Sequence, residues 1–96
     1  MTQSLPNNTG VSVGITSSKI LVGNGGRNAL TLTNSGSYDI YVSKGSPAVV
    51  GQGIYLVAGG GAHTFTANND GKIFQGDIYA IANGGSSNLC ICEEYN

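Results

Sequence analysis

The chain has very little charge. Only 9% of its 96 residues are charged, against about 25% in an average soluble protein, and the formal net charge is -1. Four basic residues cannot neutralise a run of phosphates, so binding to nucleic acid by release of counterions is excluded as a main activity. We expect partners other than nucleic acid.

Long apolar runs are also missing. No stretch approaches the roughly 18 residues that cross a bilayer, and the start, MTQSLPNNTG, has neither the positive nor the apolar region of a signal peptide. The sequence therefore predicts no membrane association and synthesis in a cytoplasm.

Residues that carry chemistry are few. One histidine, two cysteines and five carboxylates are scattered along the chain, and their spacing does not assemble a nucleophile, a base and an orienting group. We expect no enzymatic activity, no cofactor and no metal site.

The residues that are abundant favour β-structure. Val, Ile and Thr number 22, whereas Glu, Gln, Lys and Arg, which suit helix surfaces, number 9. The sequence therefore predicts an all-β fold: a compact, jelly-roll-like β-sandwich of eight or nine short strands, with a small barrel as the second choice. We expect an extended N-terminal arm over residues 1–10 and a single β-sandwich domain over residues 11–96.

Turn signals divide the chain into short segments of alternating or apolar character. Asn-Asn-Asp-Gly at residues 68–71 is the clearest hairpin signal, because Asp-Gly accepts the positive φ of a type I′ turn. The expected strands cover residues 11–15, 19–22, 27–34, 39–43, 53–57, 62–67, 72–75, 77–82 and 88–93.

The first ten residues show no periodicity, and Pro6 favours extended geometry at Leu5. A frayed terminus and an arm that docks on a partner are equally compatible with this pattern. The residues of the candidate docking arm are Thr2, Gln3, Ser4, Leu5, Pro6 and Asn7.

Three tyrosines occur in similar sequence surroundings. Tyr41, Tyr55 and Tyr79 each follow an isoleucine and alternate with aliphatic residues, so all three should leave the core side of their strands. One interpretation is that the rings cover sheet edges or stand singly on the surface. The other is an aromatic contact surface, and here we treat the three tyrosines as a candidate subunit interface.

Cys90 and Cys92 lie two residues apart in an expected strand, a spacing at or beyond the limit for a disulfide. We expect two reduced, buried cysteines that act as small hydrophobic residues. Two thiolates could begin a metal site, but His63 is distant in sequence and is expected to be a partly buried structural side chain. Glu93 and Glu94 are expected to be solvated.

Several segments resemble a known family. They are RNALTLTN at 27–34 with DIYV at 39–42, GQGIYL at 51–56 with AGG at 58–60, GDIYAIA at 76–82, and GS at 85–86 with LCICE at 89–93. Together they cover roughly residues 19–94 and are similar to small virion proteins of tailed bacteriophages, of the capsid decoration or cement type. The segments are turns and strand cores, so they indicate fold and context better than molecular role.

The resemblance implies a non-enzymatic head protein that decorates and stabilises the capsid as a homotrimer bound to the major capsid protein. It places the chain on the capsid surface of the virion and makes residues 2–7 the candidate capsid contact. The alternatives are a module of the fibre base or tail and, from another class, a carbohydrate-binding module whose only candidate platform is the tyrosines.

Overall fold

The fold is known from a computed structural model, which describes residues 5–67 and 71–96. It is all-β, as the composition predicts, and these residues contain no helix. The eight strands are β1 (Leu5–Val13), β2 (Ser18–Leu21), β3 (Arg27–Asn34), β4 (Ile40–Lys44), β5 (Ile54–Leu56), β6 (Ala62–Thr64), β7 (Ile78–Ala82) and β8 (Ser87–Tyr95).

The strands form two antiparallel sheets, with orders β1-β8-β3-β6 and β2-β7-β4-β5. The first strand pairs with the last, the second with the seventh, the third with the sixth and the fourth with the fifth. This is the pattern of one long hairpin folded over into two sheets, which defines a jelly roll. The predicted fold class is confirmed.

The core lies between the inner faces of the two sheets. In β7 the burial alternates strictly, with Ile78, Ala80 and Ala82 inside and Tyr79 and Ile81 turned outward. The period of two along each strand produces this division. The other buried apolar residues of the cluster are Val13, Leu21, Leu30, Leu32, Ile40, Val42, Leu56, Phe65, Ile73, Leu89 and Ile91.

The expected N-terminal arm differs from the structure in one respect. Residues 5–10 belong to β1 and pair in register with β8, from Leu5 opposite Tyr95 to Gly10 opposite Cys90. Asn7 Nδ2 also donates to Glu93 Oε1 at 3.2 Å. This part of the arm is therefore a strand of the sandwich. Thr2, Gln3 and Ser4 lie outside the described residues.

The strand expected at residues 72–75 is not formed. Instead, Ile73 is buried in the core and Phe74 packs against it from an irregular segment. This segment is not part of a strand. It is held by Arg27 Nη1, which donates to the carbonyls of Phe74 and Gly76, and by the backbone N–H of Asn24, which donates to the carbonyl of Gln75 at 2.8 Å. Most of the expected hairpin turn, Asn68, Asn69 and Asp70, lies outside the described residues.

Arg27 is the first residue of β3 and is only 1% exposed. Its Nε donates to Glu93 Oε2 at 2.7 Å, and Nη2 donates to the carbonyl of Val22 at 3.0 Å. Nη1 donates to the carbonyls of Phe74 and Gly76 at 3.1 and 3.0 Å. One guanidinium thus ties together β3, β8, the loop after β2 and the segment before β7.

Glu93 therefore corrects an expectation. It was expected to be solvated but is 4% exposed, because β8 turns Leu89, Ile91 and Glu93 to the same inner face. A carboxylate at such a position needs a partner, and Arg27 supplies it. Glu94, the next residue, is exposed as expected.

Asn34 anchors the opposite end of β3. Its Nδ2 donates to the carbonyls of Tyr38 and Leu56 at 2.8 and 2.9 Å, and its Oδ1 accepts from Ser87 Oγ at 2.8 Å. The turn after β3 passes so close to Ser87 that a Cβ at Gly36 would collide with its Oγ. Both ends of β3 are thus fixed by buried polar side chains.

Candidate interaction surfaces

The three candidate tyrosines all lie outside the core, on the outer face of the β2-β7-β4-β5 sheet. Tyr41 of β4 stands opposite Tyr55 of β5 on one side and Ile81 of β7 on the other. The Tyr41 and Tyr55 rings are 5.3 Å apart and tilted by 38°. Tyr79 is two residues from Ile81 on β7. We call Tyr41, Tyr55, Tyr79 and Ile81 the tyrosine surface.

Tyr55 is the most prominent member, with 52% of its surface exposed. Its hydroxyl donates to Asp39 Oδ2 at 2.9 Å, while Asp39 Oδ1 accepts from the backbone N–H of Ala58 at 2.9 Å. The hydrogen bond to Asp39 raises the pKa of the Tyr55 phenol above 10.0, with smaller contributions from desolvation and from the negative charge of Asp39. The hydroxyl end of the ring is therefore fixed by Asp39, while about half of the side chain stays exposed.

Tyr79 lies beside a small charged group. Lys19 Nζ is 5.9 Å from the centre of the Tyr79 ring and 3.2 Å from Asp77 Oδ2. Asp77 Oδ1 also accepts from the backbone N–H of Gly23 at 2.6 Å. The Gly23 hydrogen bond first, and then Lys19, lower the pKa of Asp77, and the same contact with Asp77 raises the pKa of Lys19.

The loop after β4, residues 45–53, adds apolar side chains near this surface. Ser46 Oγ lies 3.1 Å from Ser43 Oγ, and the Ala48 N–H donates to Ser17 Oγ, just before β2, at 2.7 Å. The loop thus spans the width of β7, which lies between β4 and β2. Next to this Ser17–Ala48 contact, large apolar side chains are exposed at Ile15, Val49 and Val50.

Cys90 and Cys92 contradict the expectation that they are buried. Both are exposed, because β8 turns Leu89 and Ile91 inward and the two thiols outward. The larger aliphatic side chains gain more from burial, so they determine which face of the strand enters the core. The thiols line a shallow groove of about 470 Å³ on the outer face of the β1-β8-β3-β6 sheet. Its other lining residues are Asn8, Thr9, Gly10, Thr31, Thr33 and Ile91.

His63 also differs from the expectation. It lies on the edge strand β6 and is exposed, rather than partly buried, with its ring 5.3 Å from Phe65 in an edge-to-face contact. Within residues 5–67 and 71–96, no three His, Cys, Asp or Glu side chains come together as a possible metal site. The same residues include no helix that could cross a membrane.

Sequence reasoning missed three features of these surfaces. Asp39 was assigned only to a strand start, although it orients Tyr55. Arg27 and Glu93 were not paired, since 66 residues separate them. The exposed loop residues Val49 and Val50 carried no periodic signal. Each of these depends on contacts between distant segments, which the spacing along the chain does not encode.

Comparisons of the chain with protein-family models, curated proteins and solved structures find no match. A jelly roll by itself indicates no function, because unrelated proteins share this architecture. The function is therefore inferred from the surfaces of the molecule.

Proposed function

We propose that the chain is a structural protein of a bacteriophage virion, which decorates the capsid and stabilises it as a homotrimer. The observation that supports this most directly is the tyrosine surface, in which Tyr55 is exposed and Tyr41, Tyr79 and Ile81 are half-buried, with the exposed apolar residues of the neighbouring loops. Exposed apolar area of this kind is typical of sites where proteins bind one another. The proposal makes the chain an adhesive module and not an enzyme.

The composition of the outer face suits a protein interface. Interfaces are enriched in tyrosine and poor in charge at their centre, and a central row of this sheet reads Tyr55, Tyr41, Ile81. Charged groups stand at its margins, where Asp39 contacts Tyr55 and the Lys19–Asp77 pair flanks Tyr79. An apolar centre with a charged rim is the arrangement that excludes water from a contact.

Decoration would stabilise a shell by mass action. A protein that binds the assembled capsid more tightly than free subunits shifts the equilibrium toward the assembled state. A closed C3 trimer would match threefold positions on a capsid lattice and would cover surface that a 96-residue monomer leaves exposed. The proposed partners are copies of the chain itself and the major capsid protein.

The proposed capsid contact is the start of the chain. Leu5 is 53% exposed at the beginning of β1, and Pro6 is exposed beside it. Asn7 is less available, because its side chain already donates to Glu93. Leu5 and Pro6 are therefore the described residues of the candidate arm that are open to contact.

The proposal is tested by sedimenting the purified protein with undecorated heads of the phage. The protein should pellet with the heads at a saturating number of copies, and cryo-electron microscopy should place it over the whole head surface. The double variant Tyr41→Ser/Tyr55→Ser should lose this binding, while His63→Ala on the exposed edge strand β6 of the other sheet should keep it. Location at a single vertex or on the tail would instead support a fibre-base or tail module. Absence from the particle would reject both.

One observation favours a second candidate, a carbohydrate-binding module. Tyr55 exposes a ring face next to Tyr41 and the carboxylate of Asp39, and aromatic faces with adjacent polar groups can bind sugars. A glycan array tests this directly. Signals that Tyr55→Ser abolishes would support it, and an array without signals would reject it.

A further inference from the structure

Cys90 and Cys92 are exposed on one face of β8, at a spacing too long for a disulfide between them. Cys90 and Cys92 flank Ile91 on β8, a central strand paired with β1 and β3 on either side. An extended i, i+2 pair holds its Cα atoms about 6.5–7 Å apart on the same face. A disulfide needs Cβ atoms about 3.5–4.5 Å apart, which the paired strand does not allow.

A metal ion relaxes this requirement. With metal–sulfur bonds of about 2.3 Å, two thiolates on opposite sides of one ion lie roughly 4.6 Å apart. Two cysteine side chains that lean toward each other from the same strand face can reach this separation by rotation about χ1. Exposed side chains make such rotations rapidly, so the strand itself does not have to move.

We propose that Cys90 and Cys92 form a two-coordinate binding site for Cu(I). Thiolates are soft ligands that suit Cu(I), zinc and iron–sulfur clusters, and of these Cu(I) is the one that two thiolates alone can hold. On binding, Cu(I) forms one bond to each sulfur, each S–H bond breaks, and two protons pass to solvent, with no change in oxidation state. The site is separate from the tyrosine surface, which lies on the other sheet, and does not depend on the proposed role in a virion.

The surroundings of the thiols favour a small, low-coordinate ion. Cys90 Sγ donates to Ser35 Oγ at 3.5 Å and accepts from Asn88 Nδ2 at 3.7 Å, so the resting thiol is directed toward Ser35. The cross-strand neighbours of Cys92 and Cys90 on β3 are Thr31 and Thr33. No histidine or carboxylate among the described residues joins the two thiols, so a four-ligand site of the zinc type is not assembled.

The test is an anaerobic titration of the reduced protein with Cu(I) against a chromophoric Cu(I) chelator, with native mass spectrometry of the product. We expect one Cu(I) ion for each protein chain. Cys90→Ser and Cys92→Ser should each weaken binding by roughly 10²–10⁴-fold, because each removes the gain from holding two ligands on one scaffold. His63→Ala, which removes the one imidazole of the chain, should bind as the wild type does. Circular dichroism of every variant checks that the fold is retained.

Three results would overturn the proposal. Equal affinity in the wild type and in Cys90→Ser/Cys92→Ser would show that the thiols do not hold the ion. One Cu(I) per two chains would show that it bridges copies. A monomer that loses two hydrogens on treatment with a thiol oxidant would reveal an intrachain disulfide, which the extended spacing forbids.

Discussion

At the scale of single residues, the Arg27–Glu93 pair matters most for stability. Two opposite charges are buried at one end of the sandwich, and the guanidinium also satisfies three backbone carbonyls. In the described residues no buried side-chain nitrogen or oxygen lacks a hydrogen-bond partner. Removing one member of such a pair leaves the other charge buried and unpaired, which costs more than the pair contributes.

Replacing Glu93 with Gln should therefore lower the free energy of unfolding by about 3–5 kcal/mol. The matched control is Glu94→Gln, which removes the same charge one residue away on the exposed face and should change stability by less than about 0.5 kcal/mol. Urea denaturation of the two variants measures both values. Equal effects would contradict the assigned burial of Glu93.

Asp77 should give the protein a defined acid sensitivity. Its pKa is lowered in the folded state, so its contribution to stability is present above about pH 3.8 and is lost as the pH falls through the folded pKa. Asp77→Asn should have a lower Tm than the wild type at pH 7, and the difference should disappear in strong acid. Thermal unfolding from pH 2 to pH 8 measures it. A Tm difference that does not vary with pH would be inconsistent with this assignment.

Alternation along a strand predicted the outward direction of the three tyrosines but not that of the cysteines. In β4 and β5 the tyrosines alternate with aliphatic residues, so only one phase buries the aliphatic side chains. In β8 both phases are apolar, with Leu89 and Ile91 on one face and Cys90 and Cys92 on the other. The local pattern therefore does not determine which face of β8 is buried. Packing against the opposite sheet determines it.

At the scale of elements, segments buried in the core were predicted best. The predicted strand at residues 27–34 has the same bounds as β3, which lies in the interior of its sheet and alternates clearly. β1 was predicted to begin only at residue 11, because LPNNTG lies at the sheet edge with both faces largely exposed. Such a segment is held by backbone pairing to β8, which leaves no hydrophobic signal in the sequence.

Two truncations distinguish the stabilising effect of the residues that pair with β8 from that of the residues before them. Deleting residues 2–9 removes five residues that pair with β8 and should lower the free energy of unfolding by roughly 2–4 kcal/mol, at about 0.5–1.5 kcal/mol for each hydrogen bond. Deleting residues 2–4 alone keeps these five paired residues and should lower the free energy of unfolding by less. Denaturant unfolding compares the two. Equal stability of both truncated chains would contradict the pairing of β1 with β8.

At the scale of the whole molecule, composition predicted the class of fold, whereas the pairing of strands needed the structure. The β1–β8 ladder joins residues more than 70 positions apart, and no local pattern specifies such a partner. The surfaces follow from the same topology. Tyr41 meets Tyr55 because β4 pairs with β5, and β7 on the other side of β4 adds Ile81 and Tyr79 to the same face. This arrangement is the basis for proposing association as the activity of the protein.

The most direct test of that central claim is the mass of the purified protein in solution, measured by sedimentation equilibrium over a range of concentrations. The account predicts three times the 9.7 kDa of one chain for the wild type, and a single-chain mass for a folded Tyr41→Ser/Tyr55→Ser/Tyr79→Ser variant. A wild type that remains at 9.7 kDa at every concentration, or a triple variant with an unchanged assembly, would contradict it.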